Sequence, residues 1–146
     1  MPTIKKIKLM KNIENFDDLL HAAREVDHLQ AQSLLFVFVQ SELPDGSTKE
    51  ESTQFKAGEG GALVPVMSVD RRPHKLDSMK TLTAEAQNFD CDWSLVFVST
   101  LSGLGETPPS IASVDAALNR MIAAIKAGQL TSMIPFDRYG NAVVLH

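Results

Sequence analysis

Leu34-Leu35-Phe36-Val37-Phe38-Val39 is an unbroken run of six apolar, mostly β-forming residues. A strand packed on one face alternates apolar and polar side chains, so a run without alternation describes a strand covered on both faces. The stretch Trp93 to Ser99 (W-S-L-V-F-V-S) repeats the pattern. Ala62 to Val69 reads as a further strand, in which Pro65 marks an edge or a bulge, because proline cannot donate to a ladder.

Helices are expected between these strands. Asn15 is a good N-cap, Asp17 and Asp18 suit the positive end of a helix dipole, and Phe16, Leu19, Leu20, Ala23 and Val26 recur at helical spacing. Residues 16–29 therefore predict an amphipathic helix. Pro44-Asp45-Gly46 is a turn, and Ser47 or Thr48 with Glu50 and Glu51 offers a capping box for a short helix ending before Gly58. Met79, Leu82, Ala86 and Phe89 form the stripe of a helix starting near Asp77 or Ser78. Val114, Leu118, Met121, Ile122 and Ile125 form another, capped by Ser113 and closed at Gly128. The tail from Met133 predicts a hairpin turning at Asp137-Arg138-Tyr139-Gly140, with Gly140 in the left-handed position.

The expected order is α-β-α-β-α-β-α-β-β. Strands alternating with helices favour parallel pairs, so this reads as an α/β domain with a mixed sheet of about five strands ending in a C-terminal β-hairpin. An α+β arrangement of the same elements is the alternative. Residues 1–12 read as a basic, flexible leader and residues 13–146 as one domain.

Composition narrows the function classes. The 146 residues are 44 % hydrophobic and 22 % charged, an ordinary globular balance. No apolar run is long enough to cross a bilayer, and Lys5, Lys6 and Lys8 interrupt the one segment that would serve a secretory signal. Cys91 is the single cysteine, which excludes an internal disulfide and a multi-thiolate zinc cage. A cytoplasmic protein is expected, with no membrane partner and no cofactor. The net charge is −4, and the first twelve residues hold four lysines and no acid, which leaves −8 on the rest. An acidic body argues against nucleic acid, whose phosphates need clustered cations.

Three segments carry chemistry worth weighing. In Asp70-Arg71-Arg72-Pro73-His74-Lys75, four of six residues can be cationic, and the loop follows a strand, where open sheets bind ligands. Guanidinium forks suit phosphate or carboxylate, so Arg71, Arg72 and His74, with Ser99 and Thr100 at the end of another strand, form a candidate anion site. Pro73 holds Arg72 extended, which makes the two arginines diverge. On the first helix, Asp17, His21, Glu25 and His28 share one face at spacings of 4, 4 and 3. Such a face can bind metal, but a dinuclear centre needs partner motifs that this chain lacks, and no metal is expected. The loop from Leu101 to Ser110 is long for its position and offers a contact surface. It is no phosphate cradle: Pro108 stands where a dinucleotide fingerprint needs its third glycine, and no Gly-Lys-Ser/Thr is present. No nucleophile elbow occurs either, and Asp90 and Asp92 beside Cys91 disfavour its thiolate.

The segments N-F-D-D-L-L-H-A-A-R-E (15–25), L-L-F-V-F-V-Q-S-E-L-P-D (34–45), F-K-A-G-E-G-G-A-L-V-P-V-M-S-V-D (55–70) and M-I-A-A-I-K-A-G-Q-L with P-F-D-R-Y-G (121–140) resemble a family of small uncharacterised proteobacterial proteins. Some of its members carry the label "ribonucleotide reductase subunit alpha". The resemblance implies no catalytic residues. Large subunits of such reductases need at least three thiols on a barrel of several hundred residues, so a chain with one thiol is not that enzyme. The expected function is a non-enzymatic binding or protein-interaction module acting as monomer or dimer. The alternative is a small enzyme or sensor for a phosphorylated or carboxylated metabolite at Arg71, Arg72, His74, Ser99 and Thr100.

Overall fold

A computed structural model describes residues 13–42, 62–88 and 92–144. The leader at 1–12, the helix expected between Ser47 and Gly58, Phe89 and Cys91 lie outside the described residues. Three helices and four strands follow one another as α1 (Phe16–Leu29), β1 (Gln32–Glu42), β2 (Ala62–Arg71), α2 (Met79–Asn88), β3 (Leu95–Ser102), α3 (Ile111–Lys126) and β4 (Ile134–Phe136). A single 3-10 turn, Pro73–Lys75, separates β2 from α2. They build one small α+β domain with a four-stranded antiparallel sheet in the order β2-β1-β3-β4.

β1 takes the centre because both of its faces are apolar. Leu34, Phe36 and Phe38 face α1 and α2, where they meet Phe16, Leu20, Leu82 and Trp93. Leu35, Val37 and Val39 face α3, where they meet Val114, Leu118, Met121 and Ile125. The sheet is therefore sandwiched between two helical layers, with a core on each side. Phe16 lies tilted against Phe36 at 6.0 Å and edge-on to Phe136 at 5.7 Å. Trp93 stands edge-on to Phe38 at 4.9 Å and is 2 % exposed, although the strand begins two residues later, at Leu95.

Two expectations are corrected. The sheet is not mixed: β2 and β3 run the same way, but β1 lies between them and opposes both, so every ladder is antiparallel. The alternation of strands with helices hid this, because α2 carries the chain across β1 and not to an adjacent strand. Among the described residues the sheet has four strands, where about five were expected. The tail does turn at Asp137–Gly140, with Gly140 at φ +87° and Asp137 Oδ1 accepting from the Tyr139 and Asn141 N–H groups. Its second arm makes single bridges, Phe136 to Ala142 and Asn15 to Asn141, and no ladder.

Local signals otherwise place the element ends. Asn15 accepts from the Asp18 N–H at 2.9 Å and starts α1. Pro65 sits where the β1–β2 register shifts, on the edge strand. The cap of α3 is Ser110, not Ser113: its hydroxyl accepts from the Ser113 N–H at 3.1 Å. Gly128 and Gln129 close α3 by donating to Ile125 and Ala124. No described helix is long and apolar enough to cross a membrane.

Phe36→Ala empties a position packed on all sides and should cost about 3–5 kcal/mol in urea unfolding. Val66→Ala, at an exposed edge position, should change stability by less than about 0.5 kcal/mol.

Candidate functional site

The end of the sheet where α1 hands over to β1 gathers most of the side-chain hydrogen bonds between distant segments. Gln32 and Ser33 open β1 and are the buried polar residues of the described core, each 3 % exposed. Buried polar groups require partners. The Gln32 amide nitrogen donates to the Ser102 hydroxyl at 2.9 Å and to the Gln30 carbonyl at 3.0 Å. Its backbone N–H donates to Asp27 Oδ1 at 2.8 Å.

Asp27 is the hub of this joint. Its Oδ1 also accepts from Arg72 Nη2 at 2.9 Å, and its Oδ2 lies 3.9 Å from His74 Nδ1. Burial works to raise the Asp27 pKa, but the Gln32 N–H, the Arg72 guanidinium and the charge of His74 outweigh it. The carboxyl is held below its ordinary value. Arg24, from the preceding turn of α1, donates to the Pro73 carbonyl at 3.2 Å and to the Leu76 carbonyl, so the 3-10 turn is fastened to the helix at several points.

The candidate anion residues are distributed over this frame and do not converge. Arg71 forms an ion pair with Glu85 of α2 at 2.7 Å, and Arg72 pairs with Asp27 of α1. The divergence expected from Pro73 is present, and each guanidinium already faces a carboxylate. Thr100 pairs across the ladder with Leu34, on the α1 side of the sheet, whereas Ser99 pairs with Leu35, on the α3 side. The two hydroxyls thus belong to opposite layers. On α1, His21 and Glu25 meet at 3.2 Å and are both exposed. Asp17 and His28 join no cluster with them: among the described residues, no group of three or more His, Cys, Asp or Glu is placed to hold a metal.

The loop after β3 is where the joint reaches the surface. The Gly103 N–H donates to the Ala31 carbonyl at 2.8 Å, and the Ala31 N–H donates to the Gly105 carbonyl at 2.7 Å. The Gln30 side chain reaches the Gly103 carbonyl at 2.7 Å. Leu104 and Thr107 exchange backbone hydrogen bonds at 2.9 and 2.8 Å, closing a tight turn. A Cβ on Gly103 would stand 2.0 Å from the Thr107 carbonyl oxygen, so only glycine permits this closure. At its tip Leu104 is 83 % exposed; Leu29, at the end of α1 next to the Gln30 that holds the loop, is 71 % exposed.

Sequence reasoning singled out this loop by its length but missed Asp27 and Gln32. Asp27 lies off the polar face of α1 that drew attention, and the signal available was a glutamine placed directly before an apolar strand. No family model, curated protein or solved structure matches the chain.

Because the Asp27 pKa is lower in the folded chain than in the unfolded one, its contribution to stability is present above the ordinary aspartate range. It fades as pH falls through the lower, native value. Asp27→Asn should therefore cost about 1–2 kcal/mol at neutral pH, and urea titrations should show the gap to the parent chain closing in acid.

Proposed function

We propose that the protein is a non-enzymatic protein-interaction module whose contact element is the loop Gly103–Thr107, which offers Leu104 to an apolar socket on a partner protein. The observation that carries this reading is the combination of a loop fixed by backbone hydrogen bonds and a nearly fully exposed leucine at its tip. A solitary exposed leucine is ordinary on a protein surface. A leucine held at the tip of a hydrogen-bonded loop presents a preformed apolar feature, and a preformed contact loses little conformational entropy on binding.

The joint behind the loop supports the same reading. Gln30, Gln32, Ser102 and Asp27 direct their hydrogen bonds to backbone, to one another and to Arg72, which supports a positioning role. An anion at Arg71 and Arg72 would have to displace Glu85 and Asp27 from guanidiniums they already neutralise. That competition weakens the metabolite reading at those residues.

A photo-crosslinking residue at position 104, in the organism that makes the protein, should capture a discrete partner that position 116 on the outer face of α3 does not. The purified partner should then bind the parent chain and lose at least about tenfold in affinity for Leu104→Asp, the scale of one buried apolar anchor. Equal crosslinking from both positions, or unchanged affinity for Leu104→Asp, would overturn the reading.

A further inference from the structure

β4 pairs with β3 only from Val96 to Val98, so the last residues of β3, Ser99–Ser102, pair with β1 on one edge and with no described strand on the other. α3 passes over this free end, and between the two lies a cleft of about 360 Å³. Its walls are of two kinds. Leu35, Leu101 and Met121 supply apolar surface, Arg120 supplies one cation, and Ser99, Thr100 and Ser132 are the hydroxyl-bearing residues of the lining.

We propose that this cleft binds a small organic monocarboxylate, whose carboxylate lies on Arg120 and whose apolar body lies against Leu35, Leu101 and Met121. The site is separate from the Leu104 loop and independent of the interaction reading.

Charge selects the ligand class. No residue lining the cleft is acidic, and Arg120 forms no ion pair with any described residue, unlike Arg71 and Arg72, which each face a carboxylate. A guanidinium presents a planar fork of donors that matches a carboxylate, and the flanking hydroxyls add donors to the same group. A phosphate dianion is less well served by one cation. The cleft runs along the middle of α3, from Ala117 to Ala124, beyond the first turn, where the helix dipole would help. The volume lies at the small end of ligand sites, which suits a body of several carbons.

The helix register explains why the residues meet. Ala117, Arg120, Met121 and Ala124 fall at spacings of 3, 1 and 3, one stripe of α3. The small side chains of Ala117 and Ala124 leave the room that larger ones would fill. Ser99 and Leu101 alternate onto the same side of β3 as Leu35. Ser99 was among the residues expected to hold an anion; the cation it shares a cleft with is Arg120, on the α3 side of the sheet.

Two-dimensional NMR of the whole chain titrated with sodium hexanoate tests this, with hexanamide and inorganic phosphate as the comparison ligands. Saturable shifts centred on Ser99, Leu101 and Arg120, with a Kd below about 10 mM, are expected for hexanoate and absent for hexanamide. Arg120→Gln should weaken hexanoate binding by at least about tenfold, as loss of a charged hydrogen-bond partner does, while Arg138→Gln, the same charge loss elsewhere, leaves it unchanged. Both arginines are exposed, so neither change endangers folding. Failure of hexanoate to saturate, equal binding of hexanamide, preference for phosphate, or indifference to Arg120→Gln would each overturn the proposal.

Discussion

Burial of β1 on both faces is the constraint from which the rest of the architecture follows. Six consecutive apolar side chains, Leu34 to Val39, cannot be hidden by one layer. They need a helical layer on either side and a strand at either edge, and the chain supplies α1 and α2 above, α3 below, and β2 and β3 alongside. The apolar side chains so removed from water provide the main driving force for folding. Elements that cannot meet this demand sit outside it. β2, with Val66, Ser68 and Asp70 exposed, occupies the edge, where Pro65 and the shift of register blunt its capacity to pair further.

A strand at the centre also creates a problem at its ends, since the chain must enter the core through polar backbone. At the α1–β1 junction that problem is met by Gln32, Asp27 and Ser102, and the same groups tie down the turn after β2 and the loop after β3. The surface that we assign to partner binding is thus held by the device that admits β1 to the core. The proposed contact surface and the entry of β1 into the core draw on one set of hydrogen bonds, so a change in the joint reaches both.

How much of this was legible in the sequence depends on distance along the chain. α1 could be read to the residue, because Asn15, the two aspartates and the apolar stripe all lie within a few positions of one another. The interior of β1 was equally plain. The start of α3 was missed by three residues because two serines, Ser110 and Ser113, are both credible caps and even hydrogen-bond to each other. The antiparallel order was not legible, for the neighbours of β1 are chosen by pairings that span tens of residues. Arg71 and Arg72 looked like free cations because Glu85 and Asp27, which neutralise them, are 14 and 45 positions away. Ser99 and Thr100 look alike in sequence, and the alternation of the strand sends them to opposite layers.

Native-state hydrogen exchange tests the central claim most directly, namely that the Leu104 loop is built into the sheet end and is not merely attached to it. The amide protons of Ala31, Gly103, Leu104 and Thr107 all donate within the joint. The account predicts that they exchange slowly, with opening free energies approaching those of Phe36 and Val37 in β1. Exchange of these four amides at rates typical of unstructured chain, with β1 still protected, would contradict it.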